Sequence, residues 1–275
     1  MTIFKGVRRA LLGQLPLHAR ALLRGGGGPG AGAFLRPATS PELVVPEDAF
    51  LAYVRRRLLL SDPQLAGAVS CCRRGANGRV CGHPIIGDYG AHAVKCHVGG
   101  GPLRRHNALA HTLAQWLKQK CGAHVSLEQW LPHLDQPRPD GRVVRARLDV
   151  VFVDSDGTQH IVDISVADAL VSDTSGELTR RAAHDFANVA DREREKPRRY
   201  PGPNIIAFVL DTQGRLGREA QTFLRYVTRD ADDGVVDSTF CVAYARQALS
   251  ASLARQVCSQ LDAGCPRGRG VHRAS

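Results

Sequence analysis

The chain has 275 residues, a hydrophobic content of 43% and a formal net charge of +11. That length suffices for one or two domains with a real core. The charge is mostly arginine, the side chain best matched to phosphate, so composition points to a polyanionic partner such as nucleic acid, or more plainly to Arg-rich coding. No run approaches the roughly 18 apolar residues of a membrane span, and no secretory-type start is present.

Residues 1–24 read as helical. Lys5, Arg8, Arg9, Arg20, Arg24 and Arg36 all precede the first acid, Glu42. An acid-free, Arg-bearing start fits an organelle transit peptide or a basic helix carried over from an upstream domain. GGGGPGAGA (25–33) is a breaker. PEDAFLAYVRRRLLL has Phe50, Leu51, Val54 and Leu58 at helical spacing after Pro46, which predicts a helical linker over 46–70.

Residues 71–101 are too poor in apolar side chains for a conventional core and need a staple. Cysteine mixed with histidine, without a secretory signal, reads as metal ligation before disulfides. Of the candidates, Cys72, Cys81, His92 and Cys96 make the best zinc set, with Cys71 an alternative to Cys72, and His83 or His97 to His92. His92 and Cys96 are four apart, the span of one helical turn. The role would be structural, presenting Arg73, Arg74 and Arg79 to DNA.

PLRRHNALAHTLAQWLKQKCG predicts a helix with Leu109, Leu113, Trp116 and Leu117 on one face and Gly122 as its stop. Arg104 and Arg105 at its start, with His106, suit phosphate. HVSLEQWL reads as a short strand. Residues 143–153 and 159–166 read as two strands around an Asp-Gly turn, 177–196 as one helix, and NIIAFVL (204–210) as a central buried strand. Helices near 215–229 and 238–260 and a basic tail follow. The arginines at 180, 181, 192, 194, 198 and 199 alternate with acids and read mostly as a solvated face. With aromatics at 5%, base-stacking platforms for single strands are not indicated, so contacts to a nucleic acid should be mainly to backbone and should weaken steeply with salt. The order from 102 predicts an α/β domain with a mixed sheet flanked by helices. The expected parts are a basic segment (1–45), the linker (46–70), a Cys/His segment (71–101), the α/β domain (102–262) and the tail (263–275).

Each strand of the predicted hairpin carries one aspartate: Asp149 beside Val151 and Val153 by alternation, and Asp163 beside Ile161 and Ser165. If the hairpin pairs around its turn, the two come close. Two buried carboxylates repel, and a divalent cation such as Mg²⁺ or Mn²⁺ resolves that cost. The plainer reading is a pair of solvent-facing strand aspartates, or partners of Arg145 and Arg147.

Asp149, thirteen intervening residues, then Asp163 within an α-β-β-β-α-β order resembles the PD-(D/E)xK nuclease core. The resemblance implies a third acid, for which Glu128 is the candidate. It also implies a lysine two residues after the second acid, where this chain has Ser165; Lys196 from the following helix is the substitute. Its plainer reading is a helix C-terminal lysine favoured by the dipole. Over roughly 30–210, the succession GAGAFL, AFLAYVRRRLLL, a Cys/His cluster, GGGPLRRHN, RLDVVF, VDISV and KPRRY is similar to the C-terminal region of endonuclease-bearing non-LTR retrotransposon reverse transcriptases. There a zinc-knuckle-like segment precedes a restriction-like endonuclease. The resemblance implies catalytic Asp149, Asp163, Glu128 and Lys196, Mg²⁺ on the three acids, structural zinc, and DNA contacts from Arg73, Arg74, Arg104, Arg105 and His106. It implies DNA as partner, with RNA of a parent element as a further one, and a nuclear location. With no polymerase motif in the chain, it implies a C-terminal piece, a truncated copy or a domesticated descendant, with any polymerase supplied elsewhere. The competing expectations are an inactive zinc-stapled binding module and a fragment with no retained function.

Overall fold

The computed structural model describes residues 2–28, 30–60, 63, 69–85, 90–121, 124–137, 140–154, 156–171, 176–199, 205–229 and 238–264. The stop at Gly122 and the tail from 265 onward lie outside the described residues.

Helices α1 (Thr2–Gln14), α2 (Leu17–Gly26), α3 (Glu47–Arg57) and the short α4 (Ala91–Lys95) precede α5 (Gly101–Cys121). Strand β1 (His124–Trp130) is followed by a small hairpin, β2 (Gln136–Pro137) with β3 (Val143–Val144). Then come β4 (Arg147–Val153), β5 (Gln159–Ala167), α6 (Glu177–Ala183), α7 (Ala187–Arg199), β6 (Ile205–Asp211), α8 (Arg218–Arg229) and α9 (Ser238–Gly264). The main sheet runs β1-β4-β5-β6, antiparallel except for the parallel pair β5–β6. It is a mixed sheet between helical layers.

One face carries the principal core. Val150, Phe152, Val162, Ile164, Phe208 and Leu210 pack there against Leu109, Leu113 and Leu117 of α5, Phe223 and Leu224 of α8 and Leu253 of α9. The other face is closed by α7, where Val189 meets Ala167, Ala207 and Val209. The helical period of α5 is thus cashed as burial of Leu109, Leu113, Trp116 and Leu117.

Two expectations about the helices change, and a third segment lies partly outside what is described. Within the stretch expected as a helical linker, residues 61, 62 and 64–68 lie outside the described residues. Its helix α3 turns Ala49, Ala52 and Tyr53 into the main core and leaves Leu51 and Leu58 exposed. The single helix over 177–196 is two, broken at 184–186, where Phe186 adopts φ 73. The break lets Asp185 receive Arg8 at 3.0 Å and Arg24 at 2.9 Å, which ties the N-terminal helices to the domain. Pro197 falls in the last turn of α7 rather than after it.

Strand β6 is buried but lies at the edge of the sheet, not at its centre. Its free edge is satisfied by the returning chain: Gly217 N–H donates to Val209 O and Asp211 N–H to Arg215 O, both at 2.8 Å, and Ala207 N–H donates to the Glu219 carboxylate at 2.9 Å. An apolar run marks burial on both faces but does not mark position in the sheet.

A buried polar cluster closes the end of β5 and β6. Arg56 pairs with Asp168 at 3.1 Å, and Thr212 Oγ1 and the Leu170 N–H also donate to Asp168. Asp211, fully buried, accepts from Asn188 and from the Gln213 N–H. Burial first, then the charge of Asp168, pushes its pKa up to about 6. A carboxyl whose folded pKa is raised stabilises the fold while protonated and loses that contribution as pH rises through about 6. The gap corresponds to roughly 3 kcal/mol. Thermal melts of Asp211→Asn should therefore lack a stability decline that the native chain shows between about pH 4 and pH 6; parallel pH profiles would contradict this.

Candidate active site and metal centre

The sheet splits at the two aspartates. Pairing of β4 with β5 runs from Val153↔Gln159 to Val150↔Val162 and stops. One residue further on each strand stand Asp149 and Asp163. Beyond that point β5 continues alongside β6, through Asp163↔Ala207 to Ala167↔Asp211. Asp149 fills the fork: its Oδ2 accepts the Ile164 N–H at 2.6 Å, replacing a ladder partner.

The expectation that Asp149 shares a face with Val151 is corrected. Val151 and Leu148 pack together with Leu131, Leu134 and Ile161, whereas Val150 lies in the main core. Alternation is thus interrupted, and Asp149 emerges toward α5. The irregularity is matched on β1, where Glu128 has φ 49, a left-handed conformation rare for a side-chain-bearing residue and costing about 1–3 kcal/mol.

Two cations flank the pair, one from each helical layer. Lys196 Nζ of α7 lies 2.7 Å from Asp163 Oδ2. His106 Nε2 of α5 lies 3.1 Å from Asp149 Oδ2. Lys196 and Asp163 are both buried, at 8% exposure. Burial raises the pKa of Asp163, Lys196 opposes that shift, and the Asp149 carboxylate, within hydrogen-bonding reach, reinforces it. The hydrogen bond to Asp149 holds the His106 imidazolium above its ordinary range despite burial.

Glu128 lines the same cavity as His106, Asn107, His111 and Asp149, a space of about 240 Å³. Its carboxylate is not gathered with the aspartates into a ligand group, and it pairs with Arg147 at 3.4 Å. The structure therefore brings together Asp149, Asp163 and Lys196, adds His106, and leaves Glu128 at the rim.

The Cys/His segment forms a second centre. Residues 70–84 make an irregular hairpin, with Cys71 N–H donating to His83 O and Cys81 N–H to Arg73 O, both at 2.8 Å. Extended backbone alternates faces, so Cys71 and Arg73 are buried and Cys72 and Arg74 are exposed. The sulfur set is therefore Cys71, Cys81 and Cys96, joined by His92. Cys71 lies 3.9 Å from Cys96, Cys96 3.6 Å from Cys81, and Cys81 3.3 Å from His92 Nε2. A tetrahedral zinc with thiolates at about 2.3 Å has sulfur–sulfur edges of about 3.8 Å. This Cys3His group can hold a metal ion such as zinc. Cys72, expected as a ligand, points outward with its thiol on Ser70 O. His83 stacks on the His92 ring at 4.1 Å and fixes its plane. Burial pushes the Cys71 thiol up to about 12, so its ionisation is costly until a cation arrives.

Two arginines expected on DNA are internal. Arg73 donates to Cys96 O at 3.1 Å and to Gln260 O. Arg105 donates to Val94 O at 2.9 Å and to Gln260 Oε1 at 2.6 Å. Both are 4% exposed, and burial brings Arg105 down to about 10. They clamp the metal segment to α9. Arg74 and Arg104 are exposed, as are Arg142, Arg145 and Arg147 in the segment leading to Asp149 in sequence. The helical arginines 180, 181, 192 and 194 pair with Glu177, Asp191 and Glu195, as their alternation with acids predicts.

Sequence reasoning missed His106 as the partner of Asp149, since nothing in helical spacing announces a cross-layer contact. It also missed Cys71, although alternation along an extended Cys-Cys-Arg-Arg stretch carries that signal. The sequence matches no family model and no curated protein at a significant level.

Proposed function

We propose that the chain is a Mg²⁺- or Mn²⁺-dependent DNA endonuclease of PD-(D/E)xK type, derived from a non-LTR retrotransposon reverse transcriptase and acting on nuclear DNA. One observation carries this reading: two carboxylates at a split in the sheet, with a buried lysine on the second. A helix-borne Lys196 stands where a strand lysine is lacking, since Ser165 occupies that position. The order α5-β1-β4-β5-α7-β6, with three antiparallel strands and one parallel, also supports it.

Asp149 and Asp163 are hard oxygen donors suited to a small divalent cation. Such a cation supplies a polarised water and stabilises charge building on phosphorus. Lys196, held by Asp163, places a positive charge beside the scissile phosphate. His106 holds the Asp149 carboxylate from the opposite layer. Exposed Arg104, Arg145 and Arg147 receive the flanking backbone.

A second reading has its own observation. Lys196 and His106 already neutralise the two aspartates from within, an arrangement that a purely structural site would also use. It describes a zinc-stapled nucleic-acid-binding module with an inactive nuclease fold.

Supercoiled plasmid separates the two. The zinc-loaded protein should nick it with Mg²⁺ or Mn²⁺ and not in buffer lacking both, with binding that weakens steeply between low and physiological salt. A folded protein that binds DNA and never nicks it supports the binding module instead.

A further inference from the structure

We infer that Trp130 is a nucleobase-stacking platform beside the two aspartates, and that the nucleic acid engaged there carries an unpaired base one or two nucleotides from the phosphate bound at Asp149. The inference rests on the nuclease reading for the meaning of that phosphate, and on separate geometry for the stacking itself.

The chain has two tryptophans. Trp116 is buried in the main core at 2% exposure, whereas Trp130 is 48% exposed. At the end of its strand Trp130 therefore leaves about half of its surface open to solvent. The ring is not loose. Its Nε1–H donates to both carboxylate oxygens of Asp135, at 3.0 and 3.2 Å, and Asp135 is itself fixed by the Ala146 N–H at 2.7 Å. The Arg145 guanidinium lies over the ring, 5.1 Å from its centroid. The ring is thus held in place before any ligand arrives, which removes most of the ordering cost of binding.

The register sets its position. Trp130 pairs with Arg147, directly opposite on β4, and Arg147 is two residues from Asp149 on the same face. A diagonal cross-strand neighbour lies about 7–8 Å away, roughly two base steps at about 3.4 Å each. Beside Trp130 stand the exposed Arg145, over the ring, and Arg147, its cross-strand partner, with exposed Arg142 further along the same segment. Among the described residues, the Arg142 guanidinium makes a long 3.9 Å contact with Asp140, and Arg147 makes an exposed 3.4 Å pair with Glu128. The ridge therefore combines a flat aromatic surface with displaceable cations. That chemistry fits a nucleic-acid strand, whose bases stack and whose phosphates pair with guanidinium. Bases inside a duplex already stack on one another, so an open aromatic ring selects one that does not.

Intrinsic tryptophan fluorescence and binding tests this without requiring cleavage. The full zinc-loaded chain is titrated, in Ca²⁺ and without Mg²⁺ or chelator, with a fully paired duplex and with the same duplex carrying a short single-stranded flap. The flap should quench the fluorescence, and Trp130→Phe, which keeps only Trp116, should show no such quenching. Trp130→Ala should lose about tenfold to a hundredfold in flap affinity, the range for one stacked base, while its duplex affinity holds within about twofold. Trp130→Phe should recover most of the flap affinity. Arg145→Ala keeps the Asp135 anchor of the ring and should weaken both DNAs at low salt; an unchanged melting temperature in each variant guards against a folding defect. Equal losses on duplex and flap, or quenching that survives in Trp130→Phe, would overturn the inference, as would binding to a protein surface with no response to DNA. If flap quenching holds while the native chain never nicks DNA, the stacking platform stands and the nuclease reading falls.

Discussion

Asp163→Asn is expected to reduce Mg²⁺-dependent nicking by more than about a hundredfold, the scale on which removal of one preorganised electrostatic group acts. The same substitution should lower stability. Lys196 and Asp163 are both buried and 2.7 Å apart. Removing one charge of a buried pair leaves the other uncompensated, at about 3–5 kcal/mol. Loss of activity in the single variant is therefore ambiguous by itself. The double variant Asp163→Asn with Lys196→Met resolves it. It removes both charges and should regain most of the lost stability, because a buried pair replaced by apolar groups is often close to neutral. Activity should stay absent. Nicking assays beside denaturant melts on the native chain and both variants would check this. Recovery of nicking with recovery of stability would show that the pair only holds the fold together. Undiminished nicking in a folded Asp163→Asn protein would place the chemistry elsewhere.

Cys71→Ser and Cys72→Ser should behave in opposite ways, although the two residues are neighbours. Cys71 is buried among Cys81, His92 and Cys96; Cys72 is exposed and faces away. The first substitution should reduce bound zinc from one per chain to near none and unfold the hairpin over 70–84. A structural zinc contributes on the order of 10 kcal/mol in isolated zinc-finger peptides, so little would remain to hold this hairpin. The second should leave metal content and melting temperature unchanged. Metal analysis after gel filtration, with limited proteolysis, would read both. Because Arg73 and Arg105 clamp this segment to Gln260, zinc loss in Cys71→Ser should also loosen the start of α5, where His106 sits. Hydrogen exchange over 101–107 reports that directly. Zinc loss in Cys72→Ser instead would reverse the ligand assignment.

Much of this arrangement is written locally. The helical period of Leu109, Leu113, Trp116 and Leu117 defines α5 and its buried face, and the apolar run at 205–210 defines β6. The spacing of His92 and Cys96 places two ligands one helical turn apart on α4 and its end. Asp149 and Asp163 are recognisable as neighbours because a two-strand hairpin turns back on itself at a known point. These are short-range features, set by the dihedral periods of the backbone and by turn chemistry.

What the sequence could not decide is which way a side chain faces once strands bend, and what meets it from another layer. Cys71 and Cys72 are equivalent ligands on paper; one peptide of hairpin register buries the first and exposes the second. Arg73 and Arg105 look like phosphate ligands until Gln260, over 150 residues on, accepts them inside the protein. Asp149 was expected beside Val151, but the left-handed Glu128 and the fork between β4 and β5 turn it toward His106. Lys196 reads as an ordinary helix lysine until α7 packs across β5 and carries it to Asp163. In each case composition and period fix the local conformation, while burial and pairing are settled by long-range packing, where a one-residue shift reverses the face. The chain alone therefore named most of the residues of both centres, and only the tertiary structure chose their partners.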